Sequence, residues 1–232
     1  VIDLLSQAGI KFIILSPWQC NAVENEEGKI IELGSNPAPY REPYILTGKR
    51  GGEITAFFYE PSLASGISFG HYLRNADSLY STLLDIKNRD KSPIIHTATD
   101  GEIYGHHEPY GDMALAALIK KVNDGDDFIF DNYGSYMAKH PATKHAVLRK
   151  GEEGKGTSWS CSHGVSRWYK DCGCHTGGDE GWNQKWRTGL RNALNNLGDK
   201  IDAIFSREID IIFKGQLSSQ DLLKEAGNVF CG

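Results

Sequence analysis

The sequence predicts an α/β protein in which strands alternate with helices around a parallel sheet, followed by a mainly helical C-terminal region. Short apolar runs bounded by glycine or proline are typical of strands buried in a parallel sheet. Apolar residues at helical spacing follow these runs, which indicates helices that cover the faces of the sheet. Strands and helices that alternate in this way favour βα units.

Three apolar runs carry the predicted strands. They occupy residues 11–15, 54–59 and 93–98, and the first of them follows the end of a helix at residues 1–8. Residues 21–53 are rich in glycine, proline, asparagine and glutamate, so we expect loops and short hairpins there.

Two helices are predicted within the first 140 residues. The first covers about residues 71–87, because its apolar side chains share one face: Tyr72, Ala76, Leu79, Leu83 and Ile86. The second begins at Asp112 as the N-cap, and its buried side carries Leu115, Leu118, Ile119 and Val122. In the C-terminal region two helical stripes flank Gly198, where we expect the helix to break.

The composition is that of an ordinary globular domain and excludes several classes of protein. Hydrophobic residues make up 40% and charged residues 24% of the chain, a balance that disordered proteins lack. No apolar run approaches the roughly 18 residues of a membrane span, so we expect no membrane partner. A net charge of −5 argues against a nucleic-acid partner. Five cysteines, three of them clustered, do not resemble a secreted disulfide framework, so we expect a cytoplasmic protein.

Charge is distributed unevenly along the chain. Residues 1–140 carry 12 basic and 19 acidic side chains, whereas residues 141–232 carry 13 basic and 11 acidic ones. This shift near Pro141 indicates a boundary, so we expect one domain over residues 1–140 and another over residues 141–232. The chain opens without a methionine or a signal-peptide pattern, which we interpret as a fragment of a longer protein.

Residues 96–107 are the segment most informative about function. They contain five side chains that can carry chemistry: Asp100, Glu102, Tyr104, His106 and His107. Because the carboxyl ends of parallel strands face the ligand site, we expect Asp100 beside a substrate cleft. Paired carboxylates suit glycosidic bond cleavage, whereas aspartate with histidine suits a metal-dependent hydrolase. A solvated loop without catalytic function is the third interpretation.

The same segment resembles a motif of a known family. Residues 99–107, Thr-Asp-Gly-Glu-Ile-Tyr-Gly-His-His, resemble the Asp-x-Glu-x-x-Gly-His motif of glycoside hydrolase family 57. Residues 159–168, 172–174 and 181–187 resemble one branch of that family, in which the domain of unknown function 3536 follows the catalytic domain. The resemblance covers almost the whole chain.

This resemblance implies that residues 1–140 are part of a (β/α)7-type barrel with retaining chemistry on α-linked glucan. Asp100 is then the general acid/base, and the nucleophile is a glutamate in a Trp-Leu-Pro-Glu-like motif. These 232 residues lack that motif, so we expect the nucleophile upstream of Val1. No cofactor is required, and the candidates for substrate contact are Glu102, Tyr104, His106, His107, Trp159 and Trp168. A metal-dependent carbohydrate deacetylase and a non-catalytic glucan-binding protein are the alternatives.

A second group of reactive side chains lies in the C-terminal region. Cys161, His163, Cys172, Cys174 and His175 occur within 15 positions. Zinc takes four nitrogen or sulfur ligands in a tetrahedron, so these residues are candidates for a zinc site, although Cys-x-Cys is not the usual spacing. A disulfide from Cys161 to either of the other two cysteines, or thiols packed in a glycine-rich turn, are the other interpretations.

Tryptophan is concentrated in the same region. Trp159, Trp168, Trp182 and Trp186 are four of the five tryptophans in the chain. Aromatic rings stack on the apolar faces of sugars, so we expect Trp159 or Trp168 near the substrate cleft. Helical periodicity places Trp186 in a core, and Arg167 is a candidate to bind a carboxylate in that loop.

Overall fold

The computed structural model describes residues 1–174 and 177–231, except for the side chains of residues 228–231. It is a mixed α/β structure with a six-stranded mixed sheet and a helical C-terminal region. The chain divides into two compact units, residues 1–150 with 156–162 and residues 151–155 with 163–232. Within the described part of the chain, no helix combines the length and the hydrophobicity that crossing a membrane requires.

Six strands in the first unit form one sheet in the order β1-β5-β4-β6-β2-β3. Their bounds are β1 Phe12–Leu15, β2 Cys20–Glu24, β3 Ile30–Glu32, β4 Tyr44–Thr47, β5 Glu53–Phe58 and β6 Lys144–Leu148. The strands predicted at residues 11–15 and 54–59 are confirmed, and they pair in parallel as β1 and β5. Strands β4 and β6 are also parallel, and the remaining pairs are antiparallel.

The all-parallel sheet and the strand predicted at residues 93–98 are wrong. Residues 93–98 belong to no strand, and β5 is paired on its two edges with β1 and with β4. The segment still meets the end of β5, since the amide of Glu60 donates a hydrogen bond to the carbonyl oxygen of His96 at 2.9 Å. The sheet of the described residues is therefore a six-stranded mixed sheet.

Strand β5 buries both of its faces, as its continuous apolar run predicts. Ile54, Ala56 and Phe58 contribute to one hydrophobic cluster against β4 and β6. Phe57 points to the opposite face, where its ring lies 4.9 Å from that of Tyr133. Because successive side chains of a strand alternate between faces, this strand lies at the centre of the first unit.

Five α-helices belong to the first unit: α1 Ile2–Gln7, α2 Pro61–Phe69, α3 Ala76–Asp90, α4 Gly111–Asp124 and α5 Tyr133–Lys139. The helix predicted over residues 71–87 begins later, because the Asn75 side chain accepts hydrogen bonds from the first amides of α3 and caps it. Residues 72–74 form a separate 3₁₀ turn. Asp112 is not the N-cap of α4, since it lies in the first turn after the cap residue Tyr110.

Helices α3 and α4 pack around a second hydrophobic cluster that includes Leu73, Ile103 and Leu118. Leu118 and Val122 are buried, as their spacing predicts, whereas Ile119 is 39% exposed. Ile103 comes from the loop that follows residues 93–98, so this cluster anchors the loop that carries Asp100.

The second unit has less regular structure before residue 186. Its helices are α6 Trp186–Phe213 and α7 Ser219–Cys231, preceded by short 3₁₀ turns at Glu152–Gly154 and Gly164–Trp168. The break predicted at Gly198 is wrong, since α6 runs through it for 28 residues; one helix-interior glycine costs only about 1 kcal/mol. Trp186, predicted to be in a core, is 58% exposed.

Candidate functional site

The residues predicted to carry catalysis lie on one loop, residues 99–108, which we call the Asp100 loop. Asp100 is exposed, and it precedes a 3₁₀ turn at Gly101–Ile103. The amide of Ile103 donates to the carbonyl oxygen of Asp100 at 3.2 Å, and the Ile103 side chain is buried among α3 and α4. The buried isoleucine therefore fixes the loop while the nearby Asp100 carboxylate stays accessible to solvent.

An ion pair anchors the other end of the Asp100 loop. Glu108 is buried, and its carboxylate accepts a hydrogen bond from Arg74 Nε at 2.8 Å and a second contact from His71 Nδ1. The bond from Arg74, followed by that from His71, holds the pKa of Glu108 below its ordinary value. The Glu108 carboxylate therefore stays charged at neutral pH, and its bond to Arg74 joins the Asp100 loop to the turn before α3.

The predicted substrate-binding residues of the loop make contacts with one another. Glu102 Oε2 and His107 Nε2 are 3.4 Å apart, and both side chains are exposed. The ring of His106 lies 4.7 Å from that of His107. Tyr104, which is half-buried, exchanges a hydrogen bond with Thr99 at 3.0 Å across the base of the loop.

Trp159 and Trp168 are the predicted aromatic contacts outside this loop. Both are exposed, at 61% and 51% respectively. Trp159 belongs to the first compact unit and Trp168 to the second. The guanidinium of Arg167 lies 5.4 Å from the centre of the Trp168 ring, which is a cation–π distance.

Sequence reasoning missed a buried carboxylate at the end of β5. Glu60 is 2% exposed, and its carboxylate accepts hydrogen bonds from Ser62 Oγ at 2.7 and 2.9 Å and from the amide of Leu63. It therefore caps α2, with Pro61 at the first helical position. Glutamate followed by proline at the end of an apolar run was the available signal.

A polar network surrounds this carboxylate. Asp90 receives hydrogen bonds from Arg89, Tyr40 and Arg41, and the bond from Arg89 dominates the lowering of the Asp90 pKa to about 2. Arg89 Nη2 also lies 3.8 Å from Glu60 Oε1. Asp90 and Glu60 thus both lie beside the guanidinium of Arg89. Asp90 is the last residue of α3, just before the segment that leads to Asp100.

His96 is another titratable residue near the end of β5. It is 9% exposed, and its Nδ1 lies 3.1 Å from the hydroxyl of Tyr133. Burial lowers the pKa of His96 to about 4, so the ring is neutral at physiological pH. The ring packs against Phe57 with ring centres 5.8 Å apart.

The four cysteine and histidine residues predicted as metal candidates come together. The ligand atoms of Cys161, His163, Cys172 and Cys174 all lie within 4.8 Å of one another, and this set could hold a metal ion such as zinc. His175 lies outside the described residues. No disulfide joins any two of the four cysteine side chains that the structure describes.

Part of the second unit matches a known family model. Residues 182–222 match the family described as Domain of unknown function (DUF3536), which places α6 and the beginning of α7 within that family model. No curated protein matches the chain. The match covers the tryptophan-rich entry to α6, and it agrees with the resemblance noted for residues 181–187.

Proposed function

We propose that this chain belongs to a glycoside hydrolase or glucanotransferase of family 57 type that acts on α-linked glucan by a retaining mechanism. In this proposal the parallel strands β1 and β5 belong to a (β/α)7-type barrel. Asp100 is the general acid/base, and the nucleophile is a glutamate outside these 232 residues. The matched DUF3536 domain supports the proposal, because it is commonly found with glycoside hydrolase family 57 proteins.

The observation that carries the proposal is the presentation of Asp100. The loop is fixed by buried Ile103 at its centre and by buried Glu108 at its end, whereas Asp100 and Glu102 remain exposed. An acid that protonates a bound sugar needs this combination of a rigid support and an accessible carboxyl. Four residues before Asp100, the carbonyl oxygen of His96 bonds the chain at the end of β5.

The proposed chemistry assigns two successive tasks to Asp100. Its carboxyl proton passes to the glycosidic oxygen as the bond to the anomeric carbon breaks, and the glycosyl unit is held on the nucleophile. The resulting carboxylate then removes a proton from water or from the hydroxyl of an acceptor sugar while the oxygen of that molecule attacks the anomeric carbon, and the bond from that carbon to the nucleophile breaks. Glu102, Tyr104, His106 and His107 bind sugar hydroxyls beside it, and Trp159 and Trp168 stack on sugar rings.

The test is an Asp100→Asn substitution in the full-length protein, assayed on amylose and on α-glucosyl fluoride. Loss of a general acid lowers the rate on amylose by roughly 100- to 10,000-fold. The first step with the fluoride, measured as fluoride release in the first turnover, falls much less, because fluoride leaves without protonation. Asp126→Asn is the matched control, since Asp126 is an exposed aspartate after α4, and this variant keeps the wild-type rate.

Two results contradict the proposal. One is a full-length protein that binds α-glucan without turning it over, which favours the non-catalytic alternative. The other is an Asp100→Asn variant that turns over amylose at the wild-type rate, which removes Asp100 from the mechanism. The metal-dependent alternative has less support, because the cluster of possible metal ligands found among the described residues does not include Asp100, His106 or His107.

A further inference from the structure

We propose that Cys161, His163, Cys172 and Cys174 bind one zinc ion in a structural site. The four residues form a Cys₃His ligand set, which is one of the sets that structural zinc sites use. The site lies outside the proposed glycosidase chemistry, so the two proposals stand or fall separately.

The four ligand atoms lie close enough together for one metal ion to bind them all. Zn–S bonds of about 2.3 Å place two sulfur ligands about 3.8 Å apart, and all four ligand atoms here lie within 4.8 Å of one another. His163 Nδ1 and Cys174 Sγ are 3.3 Å apart.

The backbone brings these side chains together by two local features. Cys161 and His163 are joined by two peptide units, which span at most about 7 Å, so the first two ligands stay close whatever the rest of the chain does. Between Cys172 and Cys174, Gly173 has φ of +79°, a left-handed conformation that L-residues with a side chain rarely adopt. The side chain of Asp171 accepts a hydrogen bond from the Gly173 amide at 3.1 Å and supports this turn.

Burial and hydrogen bonding also suit a metal site. Cys161 is buried, Cys172 and Cys174 are half-buried, and His163 is exposed, so the three cysteines are shielded more than the imidazole. Ser166 Oγ donates to the carbonyl oxygen of His163 at 2.7 Å, which fixes the backbone of that ligand. Contacts around the ligands that hold their orientation are typical of metal sites.

The segment around the cluster has little regular secondary structure. The helical structure of residues 151–174 consists of two short 3₁₀ turns, and of their larger apolar side chains Trp159 and Trp168 are exposed. Small segments without a hydrophobic core rely on disulfides or metals. Four protein ligands leave zinc no open position, so the ion would contribute folding free energy rather than catalysis.

The experiment uses the 232-residue chain, purified under reducing conditions and then supplied with zinc or cobalt chloride alone. We expect about one zinc per chain by mass spectrometric metal analysis, as a single closed four-ligand site requires. Cobalt in the same site should give the visible d–d bands of a tetrahedral ion together with a thiolate-to-cobalt charge-transfer band. Binding should release protons, because the thiols must ionise.

Three variants separate the site from a general effect on folding. Cys172→Ser should weaken zinc binding by more than about 100-fold, beyond the range seen for outer-shell changes. His163→Cys should retain one zinc, because Cys₄ is an equally good structural set. Cys20→Ala is the matched control, since Cys20 lies buried in the sheet and is not one of the four ligands.

Each outcome decides the proposal. A wild-type chain that binds no zinc and shows no cobalt–thiolate band overturns it, as does a Cys172→Ser variant with unchanged zinc affinity. A loss of about 2 Da of mass, the two hydrogens that disulfide formation removes, with no bound metal under mildly oxidising conditions also overturns it and would identify a redox pair. Retention of zinc by His163→Cys with loss in Cys172→Ser supports the proposal even if Cys172→Ser is poorly folded.

Discussion

The first compact unit contains a core of buried apolar side chains, whereas the long helix α6 of the second unit leaves most of its apolar side chains in contact with solvent. Phe57 and Phe58 are fully buried in the first unit. Along α6 in the second unit, apolar side chains at helical spacing are more than half exposed: Trp186, Leu190, Leu194, Leu197, Ile201 and Ile204. Because hydrophobic stabilisation scales with buried apolar area, burial stabilises the first unit far more than the second.

This contrast predicts opposite responses to aromatic truncation. Phe57→Ala should lower the free energy of unfolding of the first unit by about 3–5 kcal/mol, because it leaves a cavity between β5 and α5. Trp186→Ala, which removes a larger but exposed ring, should change the free energy of unfolding of the second unit by less than about 0.5 kcal/mol. Urea unfolding followed by far-ultraviolet circular dichroism measures both.

Hydrogen exchange locates the effect of the same pair of variants. In Phe57→Ala we expect faster exchange of the amides in β1, β4 and β5, with the amides of α6 unchanged. Equal loss of stability in the two variants would contradict the contrast between the units, because it would mean that Trp186 is buried in solution.

The next prediction concerns the pH dependence of the first unit. Burial lowers the pKa of His96 to about 4 in the folded state, whereas the ordinary value is about 6.5 in an unfolded chain. The unfolded chain therefore binds a proton first as the pH falls. Stability should be complete above about pH 6.5 and should fall by about 3 kcal/mol between about pH 6.5 and pH 4.

A His96→Gln variant tests the origin of this pH dependence. The glutamine side chain does not titrate, so the difference in stability between wild type and variant should shrink as the pH falls from about 6.5 to about 4. An identical slope in wild type and His96→Gln would contradict the assignment.

The parts of the fold that the sequence predicted correctly are those that local pattern determines. Residues 11–15 and 54–59 are continuous apolar runs, and a run of that kind has few alternatives to a buried strand. The start of α3 at Ala76 was missed because several adjacent polar residues could cap the helix, and the sequence does not show that Asn75 is the one that does so. Residues 93–98 have the same apolar pattern as a strand, but they do not join the sheet. The neighbours of β5 in that sheet are β1 and β4, and sequence alone does not reveal which strands pair.

The candidate sites show the same difference between features that local sequence determines and features that depend on distant residues. The contents of the Asp100 loop and of the Cys/His cluster were predicted, because both lie within short stretches of chain. The buried anchors were not, since Glu60 pairs with Arg89 and Glu108 pairs with Arg74, each far away along the chain. Pairings at that separation depend on how helices pack, and a single sequence carries no direct signal of it.

The smallest expected effect distinguishes two glycines of the second unit. Gly173→Ala places a side chain at φ +79°, which costs about 1–2 kcal/mol and should weaken zinc binding by roughly 10-fold. Gly189→Ala is the matched control: it lies inside α6 with no atom within 4 Å of an added Cβ, so it should stabilise the helix by up to about 1 kcal/mol and leave zinc affinity unchanged. Competition with a chromophoric chelator measures the affinity and thermal unfolding measures the stability. If both variants bind zinc as the wild type does, the turn between Cys172 and Cys174 is not what orients the two thiolates, because only a strained turn makes alanine differ from glycine there.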